Sequence, residues 1–265
     1  MRSPLIAAAV LALLAASCVK EERTDCPCFL TLDLDKVISD SDYSEAVATL
    51  GPCTDRTIDQ KRIALMDYEG VGYEKKVPKE TVRISVVCGF KNGNFRDDCY
   101  LVPENQQSDP IMAFAESRRC SRERESAEVE LHKQYCRIKF KFLGIGEDEE
   151  IPYDLRIRAD CNGIGLYDLQ PIEGAYTATA LKSNSGELTM ILPRQKSGAV
   201  ALDLVDAGGD VVHVMDVGAR MDLLGYDWTK ADLDDVSIEI DFCSATMNVG
   251  ILPWDINYDY ETIDI

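Results

Sequence analysis

Cys136-Arg137-Ile138-Lys139-Phe140-Lys141-Phe142 is the stretch that decides the fold. Apolar side chains at 136, 138, 140 and 142 alternate with cations at 137, 139 and 141, and a strand sends alternate residues to opposite faces. One face is core and the other water. The same period recurs outward in both directions. Towards the amino end, Leu30, Leu32 and Leu34 alternate with Thr31, Asp33 and Asp35, and Val82, Ile84, Val86 and Cys88 share a face. Towards the carboxyl end, Leu155, Ile157, Ala159 and Cys161 stand against Arg156, Arg158 and Asp160. Three more apolar sets follow: Leu188, Met190 and Leu192; Val200, Leu202 and Leu204; and Val236, Ile238, Ile240 and Phe242.

Short alternating runs, separated by Gly, Pro, Asn and Asp and without a sustained helical period, predict an all-β chain of antiparallel β-sandwiches in tandem. Two short helical insertions are expected, one around Ser44 to Leu50 and one after Trp228, where Thr229 would cap a turn through Leu233. Sandwiches of about a hundred residues are typical, so the body divides into two cores. The boundary falls near Lys133, giving an N-terminal domain over 26–133 and a C-terminal domain over 134–265. Just before it, Ser117 to Glu125 mixes four arginines with acids and reads as a solvated loop, followed by a strand from Ala127 to Leu131.

The first residues carry a different message. Arg2 precedes an apolar run from Leu5 to Ala16, far shorter than the ~20 residues that span a bilayer, so residues 1–17 read as a secretion signal. The run ends in Leu14-Ala15-Ala16-Ser17-Cys18, small residues leading into a cysteine, which is where a lipoprotein peptidase cuts between Ser17 and Cys18 once the thiol is acylated. A leucine three places before the cysteine is the commoner pattern, and Ala15 stands there instead. The plainer alternative is a cysteine in an ordinary secretory leader. Residues 18–25 then form a flexible tether, in which Lys20-Glu21-Glu22 resembles the surface-export signal of Bacteroidota lipoproteins or serves simply as a solvated linker.

The net charge of the 265-residue chain is -19, and removing residues 1–17 takes away only Arg2, leaving -20. Nucleic acid is an improbable partner for such a body. Ten cysteines, less the one assigned to lipid, leave an odd nine in a compartment that permits disulfides. Cys88, Cys136 and Cys161 fall on apolar faces, where a thiol is a small hydrophobe, so buried thiols and bridges are both open. Cys26-Pro27-Cys28 lacks the spacing and second pair of a zinc site and reads as structural.

Catalytic chemistry has little to draw on. His132 and His213 are the two histidines, each within a predicted strand and without a nucleophile or metal partner at a recognisable spacing. Gly144-Ile145-Gly146 and Gly163-Ile164-Gly165 lack the third glycine of a phosphate loop and read as turns. Glu147 to Glu150 lacks the alternating ligands and central glycine of a calcium loop. Asp97-Asp98 and Asp234-Asp235 could supply paired carboxylates, but acidic residues are abundant enough for chance pairs. No enzyme activity, cofactor, metal or small-molecule substrate is expected.

Cys18 followed by Lys20-Glu21-Glu22 and Asp25-Cys26-Pro27 resembles the start of the fimbrial anchor (minor accessory subunit) lipoproteins of type V fimbriae of the Bacteroidota. Leu192-Pro193-Arg194, Gly225-Tyr226-Asp227-Trp228 and Ile251-Leu252-Pro253-Trp254 are supporting matches. The resemblance implies two transthyretin-like, Ig-like sandwiches, fimbrial shaft subunits as partners, membrane attachment through lipid on Cys18 and an outer-membrane, surface-exposed location. Subunits of such fimbriae join by strand addition, and the tail from Asn257 to Ile265 is either a partner strand or a terminal strand of its own sandwich. The competing reading is a surface lipoprotein that binds glycan or another nutrient for an uptake system.

The variant Cys18→Ala is expected to leave the precursor uncut and to release assembled fimbriae into the medium. Membrane fractionation identical to that of the unsubstituted chain would sink the lipid assignment.

Overall fold

The computed structural model describes residues 26–54, 58–91, 93–144, 153–182, 188–241 and 246–254. In the first half, β1 (Cys28–Asp33) leads to helix α1 (Asp35–Asp40), β2 (Glu45–Pro52), β3 (Asp59–Ala64), β4 (Tyr73–Val77) and β5 (Thr81–Cys88). Then come β6 (Asn94–Arg96), β7 (Cys99–Leu101), β8 (Met112–Arg119), β9 (Arg124–Glu128) and the two-residue β10 (His132–Lys133). The second half holds β11 (Tyr135–Leu143), β12 (Asp154–Gly165), β13 (Pro171–Thr179), β14 (Leu181–Lys182) and β15 (Leu188–Pro193). It ends with β16 (Val200–Val205), β17 (Val211–Asp216), helix α2 (Val217–Leu223), β18 (Asp235–Asp241) and β19 (Thr246–Leu252).

The fold is all-β, with sheets ordered β4-β1-β9, β10-β8-β5-β2-β3, β14-β15-β11-β18-β19 and β17-β16-β12-β7-β6, and with β13 also paired to β12. Pairing is antiparallel except at β1 with β9 and β11 with β18. The alternation read from the sequence holds: Cys136, Ile138 and Phe140 are buried while Arg137 and Lys139 are not, and Cys88 and Cys161 lie in the core as well. Phe142 packs partly against that core, whereas Phe242 lies outside the described residues.

Several local expectations change. Ser44 to Leu50 is not helical; Glu45–Pro52 is a strand between β5 and β3, with its interior buried. Burial from Ala46 to Gly51 is nearly continuous, which hides the period of two and mimics an apolar helix. The helix lies earlier, at Asp35–Asp40. Beyond Trp228 there is a turn, and the Asp227 carboxylate, not Thr229, organises it by accepting from the backbone N–H and hydroxyl of Thr229. Ser117 to Arg119 continues β8 instead of forming a loop, and the following strand begins at Arg124, earlier than Ala127. Gly163-Ile164-Gly165 is the end of β12, where a Cβ on Gly163 would stand 2.3 Å from the Tyr100 carbonyl oxygen. The glycine lets β7 approach.

Two buried clusters result. One gathers side chains between Cys28 and Val129; the other is built on β11 to β19 and also takes in Val87, Tyr100, Val102, Ile111 and Ala113. β5 serves both, with Val86 and Cys88 in the first and Val87 in the second. The β6–β7 hairpin hydrogen-bonds to β12, so residues 94–101 belong by pairing to a sheet of the second half. Buried Asp109 holds this hairpin by accepting from the Lys91 and Gly93 amides and the Tyr100 hydroxyl, at 2.6, 2.9 and 2.5 Å. Burial and that carboxylate together raise the Tyr100 pKa, so the phenol stays a donor.

At the join between halves, the Lys133 side chain is fully buried. Its ammonium donates to the Leu233 carbonyl at 2.8 Å and pairs with the Asp235 carboxylate, which also accepts from the Arg137 amide. The Tyr135 and Trp254 rings lie 4.8 and 4.6 Å from the same ammonium. Asp232 adds to the tie, accepting from the Lys133 amide and meeting the His132 ring. A buried cation is tolerated only when paired and hydrogen-bonded in this way.

A second buried charge, Asp203 on β16, receives a two-pronged Arg158 guanidinium at 2.8 Å and Arg156 from the opposed position on β12. The Arg158 hydrogen bond, reinforced by Arg156, holds its carboxyl below the ordinary value of 3.8.

Two outcomes follow for urea unfolding. Lys133→Ala, which strands Asp235, is expected to cost about 3–5 kcal/mol, and Lys133→Met less, because the methylene packing survives. Asp203→Asn is expected to cost about 1–2 kcal/mol at neutral pH. Because the folded Asp203 pKa is depressed, its contribution is full above the unfolded value near 3.8 and is lost as pH falls through the folded value, so the two proteins should converge in acid.

Candidate interaction surface and cleft

Sheet edges differ in how they meet solvent. β3 exposes Asp59, Gln60, Lys61 and Arg62, charges that discourage further pairing. β17 is different. Its sequence is Val-Val-His-Val-Met-Asp, and Val211, Val212 and Val214 are 44%, 50% and 51% exposed. Among the described residues it pairs with β16 alone, so its other edge presents free backbone donors and acceptors.

The strand is held from both ends. Before it, the Asp206 carboxylate accepts from the Gly208 and Asp210 amides, and Gly209 takes a positive φ of 89° in the turn. After it, Asp216 caps α2 by accepting from the Ala219 amide. Leu223 and Leu224, at the end of that helix, are also exposed, at 87% and 51%. A rigid, apolar, unpaired edge can accept a strand from another chain with little ordering cost.

Beside the Lys133 junction lies a cleft of about 320 Å³, lined by His132, Gln134, Arg194, Lys196, Trp228 and Lys230 among others. Arg194 is buried, donating to the Gln134 side-chain oxygen at 2.9 Å, to the Ala231 carbonyl at 3.0 Å and to the Trp228 carbonyl. Burial lowers its pKa. The other basic side chains are engaged: His132 with Asp232, Lys196 with Glu173 and Lys230 with Asp234. The polar groups of the cleft hold the wall together and leave no cation unpaired for an incoming anion.

The residues singled out from the sequence are dispersed. Ser17, Cys18, Lys20, Glu21 and Glu22 lie outside the described residues, as do Glu147 to Glu150 and the tail from Asn257 to Ile265. His132 sits at the junction, whereas His213 is exposed on β17. Asp97 and Asp98 form the turn of the β6–β7 hairpin, with Asp97 at φ 53°. Asp234 and Asp235 are structural, paired with Lys230 and Lys133. Cys26 is exposed and Cys28 buried, so the Cys-Pro-Cys thiols do not face one environment. Among the described residues, no three His, Cys, Asp or Glu side chains gather as a metal site. Sequence reasoning missed Asp109 and Asp232 and gave Arg194 no structural role, because their partners are brought near only by folding. The Val211–Val214 run, three valines and one histidine, reads as a strand in the sequence, but its place at a sheet edge does not.

No protein-family profile and no curated protein matches the chain. Solved structures do. A candidate polysaccharide-binding protein from Bacteroides thetaiotaomicron superposes with a TM-score of 0.58 at 9% identity, covering 86% of this chain and 96% of that one. A candidate adhesin from Bacteroides ovatus gives 0.55 at 11% identity, covering 86% and 93%. The fimbrial anchor protein Mfa2 from Porphyromonas gingivalis gives 0.54 at 8% identity, covering 86% and 98%. At such identities the likeness is one of fold, and the fold is that of adhesin and fimbrial proteins of this bacterial group over nearly their whole length.

Proposed function

We propose that this protein is an outer-membrane lipoprotein that anchors fimbriae or helps assemble them for cell adhesion. It is held by lipid on Cys18, exposed at the surface behind the Lys20-Glu21-Glu22 tether, and folded as two sandwich domains, 26–133 and 134–265 in sequence, with the hairpin of residues 94–101 lent to the second. Two or three acyl chains on one cysteine give lasting attachment, at about 0.8 kcal/mol per buried methylene, where a single chain gives marginal binding. The partners are fimbrial shaft subunits, and β-sheet contacts join them to this chain.

The observation that carries the reading is the β17 edge, a row of exposed valines on a strand paired on one side among the described residues. A shaft subunit that lays a strand along it gains backbone hydrogen bonds and covers Val212 and Val214 together. The fold shared with a fimbrial anchor supports the same reading.

Val212→Lys with Val214→Lys places two charges on the open strand without disturbing a core residue. The double variant is expected to keep its unfolding midpoint and to lose co-isolation with fimbrial shafts. Shaft recovery equal to that of the unsubstituted protein would overturn the assignment of this edge.

A further inference from the structure

Cys28 and Cys120 are both 0% exposed and belong to the same core, although most of the first half separates them in sequence. The backbone brings them together at one corner. Cys28 opens β1 opposite Val77, the last residue of β4. The link from Val77 into β5 passes Glu80, whose carbonyl accepts from the Cys120 amide at 2.8 Å. Cys120 begins the connection from β8 to β9, and the far end of that connection returns to β1, where the Phe29 amide donates to the Glu123 carbonyl. The two side chains are neighbours inside this corner, where the Cys120 sulfur also approaches the Arg118 carbonyl oxygen at 4.0 Å.

We propose that Cys28 and Cys120 form a disulfide that clasps β1 to the β8–β9 connection. Both thiols lose their hydrogens and one S–S bond forms. A disulfide-bearing oxidant takes the two electrons and two protons by thiol–disulfide exchange and leaves as a dithiol. The bond in the cell rests on the export proposed above, because such oxidants act outside the cytoplasm.

The surroundings also say when it forms. Burial pushes the Cys120 thiol up to about 12, and the attacking species in exchange is the thiolate. In the closed core that species is scarce and no reagent reaches it, so the bond forms while β1 is still docking. The same barrier protects it afterwards. Other described thiols have different neighbours: Cys99 meets the Asp98 carboxylate, and Cys136 meets the Tyr226 hydroxyl.

The test uses the full chain carrying Cys26→Ser, since Cys26 would share a tryptic peptide with Cys28. The reduced, denatured protein is refolded in mixed oxidised and reduced glutathione, alkylated after unfolding, and digested without reductant. A linked peptide pair containing Cys28 and Cys120, lost on reduction, is expected. Separate alkylation of the two residues in the refolded protein would overturn the proposal. Urea unfolding supplies a second measurement that needs no folding-impaired variant. The midpoint should fall once the bond is reduced under denaturing conditions and the chain refolded with reductant; equal midpoints would count against the clasp. Export is judged apart, on protein taken from cells. A chain with residues 1–17 retained and both thiols reduced would refute export, while the refolding experiment still decides the pairing.

Discussion

Everything in this fold turns on one buried cation. Lys133 stands where the chain leaves its first core and enters the second, and it is held at once by Asp235, the Leu233 carbonyl and two aromatic faces. Its position ties the start of β11 to the start of β18, the two strands that run parallel through the centre of their sheet. An ammonium cannot be moved within an apolar interior without losing these partners, so the tie fixes register as well as adhesion between segments. A leucine at 133 would pack, but it would leave the choice between neighbouring registers to shape alone. Asp232 and Asp234 extend the constraint to His132, Lys230 and the Trp254 amide.

The division between what was legible in the sequence and what was not follows the range of the interactions. β11, β12 and β18 have one wet face and one dry face, and their alternation survives in the letters. β2 is covered on both faces, so its residues carry no period, and a helix was the natural misreading. Gly163 and Gly165 look like turn residues because glycine usually marks turns; here the approach of β7 dictates the glycine at 163, and β7 comes from far away in the chain. The Asp234-Asp235 pair read as a chance pair of carboxylates for a related reason. Asp232 and Asp235 become structural only when His132, Lys133 and Arg137 arrive from about a hundred residues earlier, a distance at which local pattern carries no information, whereas Asp234 pairs locally with Lys230.

The candidate site divides along the same line. The proposed lipid-attachment end is written in contiguous residues, Leu14 to Cys18, and is read without folding. The β17 edge is half-visible: its valines are in the sequence, but only the sheet order shows that they lie at an open margin instead of in a core. The cleft at Arg194 is invisible until folded, because the partners of Arg194, His132 and Lys196 come from distant parts of the chain. Polar groups of this kind make a wall that keeps its shape. Rigidity would serve the proposed role, in which an edge strand is presented to a partner without first being ordered.

Alternate residues of β5 look into different cores, Val86 and Cys88 one way and Val87 the other, and β8 repeats this with Phe114 and Ala113. That shared wall makes the halves poor candidates for separate life. A fragment ending at Lys133 would put Val87, Tyr100, Val102, Ile111 and Ala113 into water and strip β7 of its partner on β12. A fragment starting at Gln134 would lose the same side chains from the floor of its own core. Neither half is therefore a portable module, and the pair is expected to fold and unfold as one cooperative body.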